Sequence, residues 1–294
     1  MATTSTLEES FKENPQSLQH ILPIDFHSIQ EVPNSHLWPN INNSPISHDE
    51  KNPNVPIIDL LAPNVVELIG HACKTWGIFQ VVNHGVSLEL FDEVESQARR
   101  IFALPAEQKV KVVRSTSGAT GYGTARITPF FSKFMWHEGF TIMDSPLDHA
   151  KELWPHDYQN FCDVMENYQK KMKALSFQLW LLILNYLQPY SQEHSIKSFE
   201  STGALQLNSY PCCPNPNHAL GLAPHTDSLF LTTPSNKQHK GSSNLEKRPV
   251  SAELRKPGQG FAWGQQWSPS AGSAQGVGSG RDNYNPRITN YKSS

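Results

Sequence analysis

An imidazole and a carboxylate stand two positions apart at His225 and Asp227, in the stretch Ala204–Thr232, ALQLNSYPCCPNPNHALGLAPHTDSLFLT. On an extended backbone, residues two apart point to one face. The pair can therefore aim at a single point, supplying two of the three donors of a 2-His-1-carboxylate ferrous site. The same His-x-Asp is also what a turn after a strand looks like, and both readings stand on these residues alone. Other metal candidates are weaker. Cys212, Cys213, His218 and His225 fit no common zinc spacing, and His84 beside Gly85 reads as a turn residue.

Regular elements must position such a pair. Leu205 and Leu207 alternate with polar residues, as in a half-buried strand, and Pro211 and Pro214 stop it. Upstream, Val55–Leu60 is a short apolar strand entered through proline. Asn64 caps a helix striped by Val65, Leu68, Ile69 and Ala72, with Gly77 as its stop. Ile78–Val82 is a β-branched strand, and Ser87 opens a helix with the stripe Leu88, Phe91, Val94, Ala98, Ile101 and Phe102. Gly121-Tyr122-Gly123 reads as a tight turn. Asp157–Leu187 is a long helix with apolar residues at Met165, Tyr168, Met172, Leu175, Leu179 and Ile183, and Tyr190–Gly203 reads as a surface loop.

Gly118–Ile142 is dense in aromatic rings. Phe130, Phe131, Phe134, Trp136 and Phe140 suit either ordinary core or the wall of an apolar pocket, with Tyr122 beside them. Arg126 and Lys133 can hold a substrate carboxylate, Arg126 in two-pronged fashion, or stand in solvent.

Asn208-Ser209-Tyr210-Pro211-Cys212 followed by His225-Thr226-Asp227-Ser228 resembles the plant 2-oxoglutarate/Fe(II)-dependent dioxygenases. The pattern GYG-ARI-FF-K-MW-EGFTI within 121–142 brings the chain from Ile24 to Thr232 nearest the gibberellin 3-oxidases. The resemblance implies an α+β chain with a double-stranded β-helix (jelly-roll) core and flanking helices. It divides the chain into an arm (1–54), an N-terminal dioxygenase region (55–150), the start of the Fe(II)/2-oxoglutarate domain (151–232) and a non-family, disordered tail (233–294). By the same resemblance His225 and Asp227 bind Fe(II), Tyr210 and Asn208 contact 2-oxoglutarate, and ascorbate is an accessory. Tyr122, Arg126, Phe131, Lys133 and Trp136 then line the pocket for a diterpenoid, a gibberellin hydroxylated at its 3-beta carbon. Oxidation at carbon 20 or 2 is the near alternative, and a non-catalytic truncated product the distant one.

The resemblance stops at Thr232. Residues 233–294 hold nine basic and three acidic side chains and eight of the 17 glycines. So polar a segment buries too little surface to offset its ordering entropy, so the jelly roll is expected to be incomplete. Only His239 follows Asp227, too near to match the family's distal ligand, and the family's Arg-x-Ser for 2-oxoglutarate has no counterpart beyond a faint one at Arg287-Ile288-Thr289. The expectation is a relative by descent with little or no activity. Codon degeneracy lets Thr233–Leu245 be read one nucleotide forward as the family-like LHQTNNTKGLQIL, pointing to a frameshift that the transcript would settle.

Net charge −3 and a pI near 6.5 give no electrostatic case for nucleic acid or anionic membrane. The start of the chain has no signal-peptide core, no run is long enough to span a bilayer, and four scattered cysteines suit reducing conditions. A cytoplasmic monomer is expected.

Overall fold

The computed structural model describes residues 21–26, 28–38, 55–187, 201–223, 225, 231–233, 250–254 and 265–269. Their strands are β1 (Ile57–Asp59), β2 (Ile78–Val82), β3 (Gly121–Gly123), β4 (Glu138–Met143), β5 (Ser201–Ser209), β6 (Leu231–Thr233), β7 (Val250–Leu254) and β8 (Gln265–Pro269). They form one continuous sheet in the order β1-β2-β7-β6-β8-β5-β4-β3. Only the β1–β2 pair is parallel. The helices are α1 (Val65–Thr75), α2 (Leu88–Phe102), the single turn α3 (Ala106–Lys109), α4 (Leu147–Leu153) and α5 (Gln159–Leu187). None is long and apolar enough to cross a membrane among the described residues.

Local chemistry explains the helix ends. Ser87 accepts the amide of Leu90 and so starts α2. Gly77, at φ 72°, ends α1, its amide donating to the Ala72 carbonyl. Asn64 does stand at the N-cap of α1, but its side chain makes no capping bond, so that start rests on burial of Ile69, Gly70 and Ala72. In α2 the buried face is Leu90, Phe91, Gln97, Ile101 and Phe102, rotated from the expected stripe by Leu90 and Gln97. One long face of α5, from Phe161 through Met165, Tyr168, Met172, Leu175 and Leu179 to Ile183, packs into the same core as Phe79, Val81, Phe140, Ile142, Leu205 and Leu207. One sheet face is therefore closed by helices.

Three expectations give way. Gly121–Gly123 is a strand rather than a turn: it pairs with Thr141–Gly139 of β4. Gly121, at φ 111°, lets the Val112 carbonyl pass 2.6 Å from where a Cβ would stand. Ser201–Gly203 belongs to β5 rather than to a loop, because Pro269–Trp267 of β8 gives it a partner. Two strands, β7 and β8, come from the segment expected to be patternless, and they pair with β2, β5 and β6. Pairing partners far away in sequence supply the order that local composition does not. The rest of that tail, and the reframed stretch beyond Thr233, lie outside the described residues.

Candidate functional site

Antiparallel register sorts β3, β4 and β5 into two faces. Tyr122, Phe140 and Leu207 stand opposite one another and point to the helix-covered core. Gly123, Gly139 and Asn208 stand opposite one another on the other face, with Thr141 opposite Gln206 beside them. That second face is polar, yet β4 is buried on both sides up to Ile142. Its polar groups therefore have to bond one another. Thr141 Oγ1 donates to Gln206 Oε1 at 2.5 Å, and Gln206 Nε2 donates to Asn208 Oδ1 at 3.1 Å. His137 Nε2 lies 3.1 Å from the same Asn208 oxygen. An oxygen can only accept, so His137 carries its proton on Nε2, and Nδ1 is left buried without a partner. Burial holds the His137 imidazole down to about 4, against the pull of the Asn208 bond. Gly139 sits at the centre: a Cβ there would come 2.6 Å from Gln206 Nε2, 3.2 Å from Asn208 Oδ1 and 3.3 Å from His137 Nε2.

The network continues into the segment that carries the candidate metal ligands. The Tyr210 ring lies 5.4 Å from that of His137, and Gly221 crosses it so closely that a Cβ would stand 2.7 Å away. The Trp136 amide bonds the Leu220 carbonyl, and Trp136 Nε1 donates to the Pro211 carbonyl at 3.0 Å. The Ala223 amide meets Met135 Sδ at 3.4 Å. His225 Nδ1 is 2.9 Å from the Ala223 carbonyl. A carbonyl accepts, so Nδ1 donates, and the lone pair of this imidazole is on Nε2. That backbone-oriented tautomer is the one a metal-binding histidine uses. Asp227 lies outside the described residues. No three His, Cys, Asp or Glu side chains stand together as a metal group among the described residues.

The candidate pocket residues separate. Tyr122 faces the helix side: its hydroxyl donates to Glu138 Oε2 at 2.5 Å, and burial, then Glu138, pushes its phenol far up. Lys109 Nζ bonds the same oxygen at 2.8 Å and stands over the Tyr122 ring. Trp136 is buried edge-on to Phe26 and His36. Phe131 is half-buried against Trp38. Phe130, 64% exposed, lines nothing buried, and Phe140 is core. Lys133 donates to the Asn34 carbonyl at 2.7 Å on the exposed surface. Arg126 donates to the Ala119 carbonyl. His84, read as a turn residue, accepts the Val86 amide through Nδ1.

Sequence reading missed Arg114, His137, Gln206, Thr141 and the Lys109–Glu138 pair. Polar residues alternating with apolar ones in a strand look solvent-facing, and it is the segments packed over that face, at Ile21 and at 210–223, that turn it inward. A signal was nonetheless available in Gly139, a glycine in an otherwise strong strand, which marks a close approach.

Residues 55–161 match the family model described as the N-terminal region of non-haem dioxygenase in morphine synthesis. Gibberellin 3-beta-dioxygenase 1 of Pisum sativum is 46% identical over 246 residues, 80% of this chain and 66% of that protein. Gibberellin 3-beta-dioxygenase 2 of Arabidopsis thaliana is 40% identical over 236 residues, 78% of this chain and 67% of that protein. The chain thus spans about two thirds of the length of these curated relatives. Among solved structures, JOX2 in complex with 2OG, Fe and JA aligns at a TM-score of 0.63 and 20% identity, covering 89% of this chain and 83% of that one. The 2-oxoglutarate complex of the dioxygenase for auxin oxidation 1 from Arabidopsis thaliana aligns at 0.55 and 23%, covering 76% and 89%. The likeness to these two is one of fold, the jelly roll with flanking helices.

Proposed function

The chain belongs to the gibberellin 3-beta-dioxygenase family, and from that premise we propose that its site is built to hydroxylate a gibberellin at the 3-beta carbon with Fe(II), O2 and 2-oxoglutarate. The observation that carries this reading is the 46% identity to the Pisum sativum enzyme across the stretch that holds the polar face and His225. The two relatives named above both carry the 3-beta name, which favours carbon 3 over carbons 2 and 20.

His225, with its Nε2 lone pair fixed by the Ala223 carbonyl, fits a ferrous ion, and Asp227 two residues on is its partner carboxylate. When bound, the iron with its keto acid supplies the oxidation of an unactivated C–H bond. The protein's own part is orientation. Asn208 has its oxygen saturated by Gln206 and His137, so its amide N–H groups are the ones offered to a ligand carboxylate. Tyr210, pinned between His137 and Gly221, borders the same space. Trp136 and Phe131 supply apolar surface, packed against His36 and Trp38 respectively.

We infer further that the chain as it stands turns over poorly. It offers two ligands of the three, and His239 is the only histidine after Asp227. A two-donor set exchanges iron readily. The test is a gibberellin lacking the 3-hydroxyl, supplied with Fe(II), ascorbate and 2-oxoglutarate. We expect background turnover from this chain. A chimera carrying a relative's sequence from residue 233 onward should give 3-beta-hydroxylated product. A chimera that also fails, or that oxidises another carbon, would refute the reading.

A further inference from the structure

Arg114 is 4% exposed, and among the described residues the acceptor bonded to its guanidinium is the Thr124 carbonyl, 3.2 Å from Nη1. Its Nη2 is buried with no hydrogen-bond partner among the described residues. The ion pairs among the described residues use Arg99, Arg100 and Lys109. Lys109, equally buried, has its acid 2.8 Å away in Glu138; Arg114 has none among the described residues. The charged neighbour that bears on Arg114 among the described residues is a second guanidinium, Arg126, of the same sign. Burial first, and then that neighbour, draw Arg114 down to about 10. It remains charged at neutral pH all the same. A buried cation beside a like charge is costly unless an anion joins it.

Its place in the sheet says where that anion would sit. Arg114 Cζ is 3.6 Å from the Cβ position of Gly123. Gly123 is register-paired with Gly139, and Gly139 with Asn208, so all three point to the polar face. The guanidinium on the β3 side and the His137–Asn208–Gln206 network, which closes on the Gly139 Cβ position of β4, are thus neighbours; Asn208 itself lies on β5, two strands from β3, about 10 Å. Donors flank this row on both sides: the guanidinium at β3 and the Asn208 amide at β5.

We infer that Arg114 anchors a carboxylate-binding subsite on this face, with Asn208 as its far wall. The inference rests on the family reading above, which brings two carboxylate ligands to the site, the diterpenoid acid and 2-oxoglutarate. Arg114 takes the role that residue types alone suggested for Arg126 and Lys133. Guanidinium and carboxylate match bidentately, which suits a ligand that must be held in one orientation.

The full chain, Arg114→Met and Arg114→Lys would be compared by thermal melting and by isothermal titration. The ligands are 2-oxoglutarate, a gibberellin acid and the methyl ester of that gibberellin. Ligand-free Arg114→Met should melt no lower than the parent, since a buried cation without its anion is removed. It should bind one of the two acids at least tenfold more weakly, while binding of the ester is unchanged and Arg114→Lys falls between. Loss confined to 2-oxoglutarate assigns the subsite to the co-substrate; loss confined to the gibberellin acid assigns it to the substrate. Unchanged binding of both acids, or a lower melting point with unchanged binding, overturns the inference and leaves the family reading standing. A parent chain that binds neither the acid nor the ester overturns the family reading, and one that binds no carboxylate at all overturns the inference as well.

Discussion

Lys109, Glu138 and Tyr122 meet around one carboxylate oxygen, each at most 5% exposed. Removing one partner strands the other. Glu138→Leu alone should cost about 3–5 kcal/mol, and the Lys109→Met/Glu138→Leu pair should recover most of it. Melting curves of the two single variants and the double variant check this; additive losses would show that the ion pair is not what holds the corner. Histidine burial sets a pH dependence as well. His36 and His137 are both lowered from 6.5 to about 4 by burial. Between those values the unfolded chain binds protons that the native rings refuse. Their contribution is therefore complete above pH 6.5 and is lost as pH falls toward 4, at about 1.4 kcal/mol per pH unit per ring. Urea midpoints measured from pH 7.5 to 4.5 should fall, and His137→Gln should flatten the slope. An unchanged slope in that variant would mean that His137 titrates as it does in the unfolded chain.

Elements with strong local periodicity were legible in the sequence: β2 and the helices α1, α2 and α5 follow from side-chain spacing and from Ser87 and Gly77. β3 was not, because three residues with two glycines carry no pattern and are strand only by pairing with β4. The approach of α1 to α5 was equally hidden. A Cβ on Gly70 would stand 2.1 Å from the Tyr186 ring. Glycine there sets how closely the end of α5 rests on α1. Gly70→Leu should cost about 1–3 kcal/mol by overpacking. Tyr186→Ala, trimming a ring that is 39% exposed, should restore much of the loss when combined with it. The double-mutant cycle reads that coupling directly; zero coupling would place the strain elsewhere.

At the scale of the whole molecule, the sheet order makes β7, β6 and β8 the bridge between two halves. β1 and β2 stand on one side, and β5, β4 and β3 with the polar face on the other. β6 has only three residues, bonded to β7 on one edge and to β8 on the other. Nothing in the composition of 233–294 announces this role: two five-residue strands lie in a segment rich in glycine and basic residues, and their partners are as far away as β2. Non-local pairing is the part of a fold that sequence patterns express least, because register is fixed by the partner strand. The consequence can be measured. A chain ended after Pro249 loses β7 and β8, two of the three bridging strands, so β2 and the Ser201–Ala204 stretch of β5 each lose a ladder. The full chain should unfold in urea with circular dichroism and tryptophan fluorescence coinciding, as a single cooperative unit does. The shortened chain should show a lower midpoint and separated transitions, the helical half with α1, α2 and α5 outlasting the polar face. Coincident curves with an unshifted midpoint would mean that the two strands add nothing to the sheet, and that His225 is positioned by β4 and β5 alone.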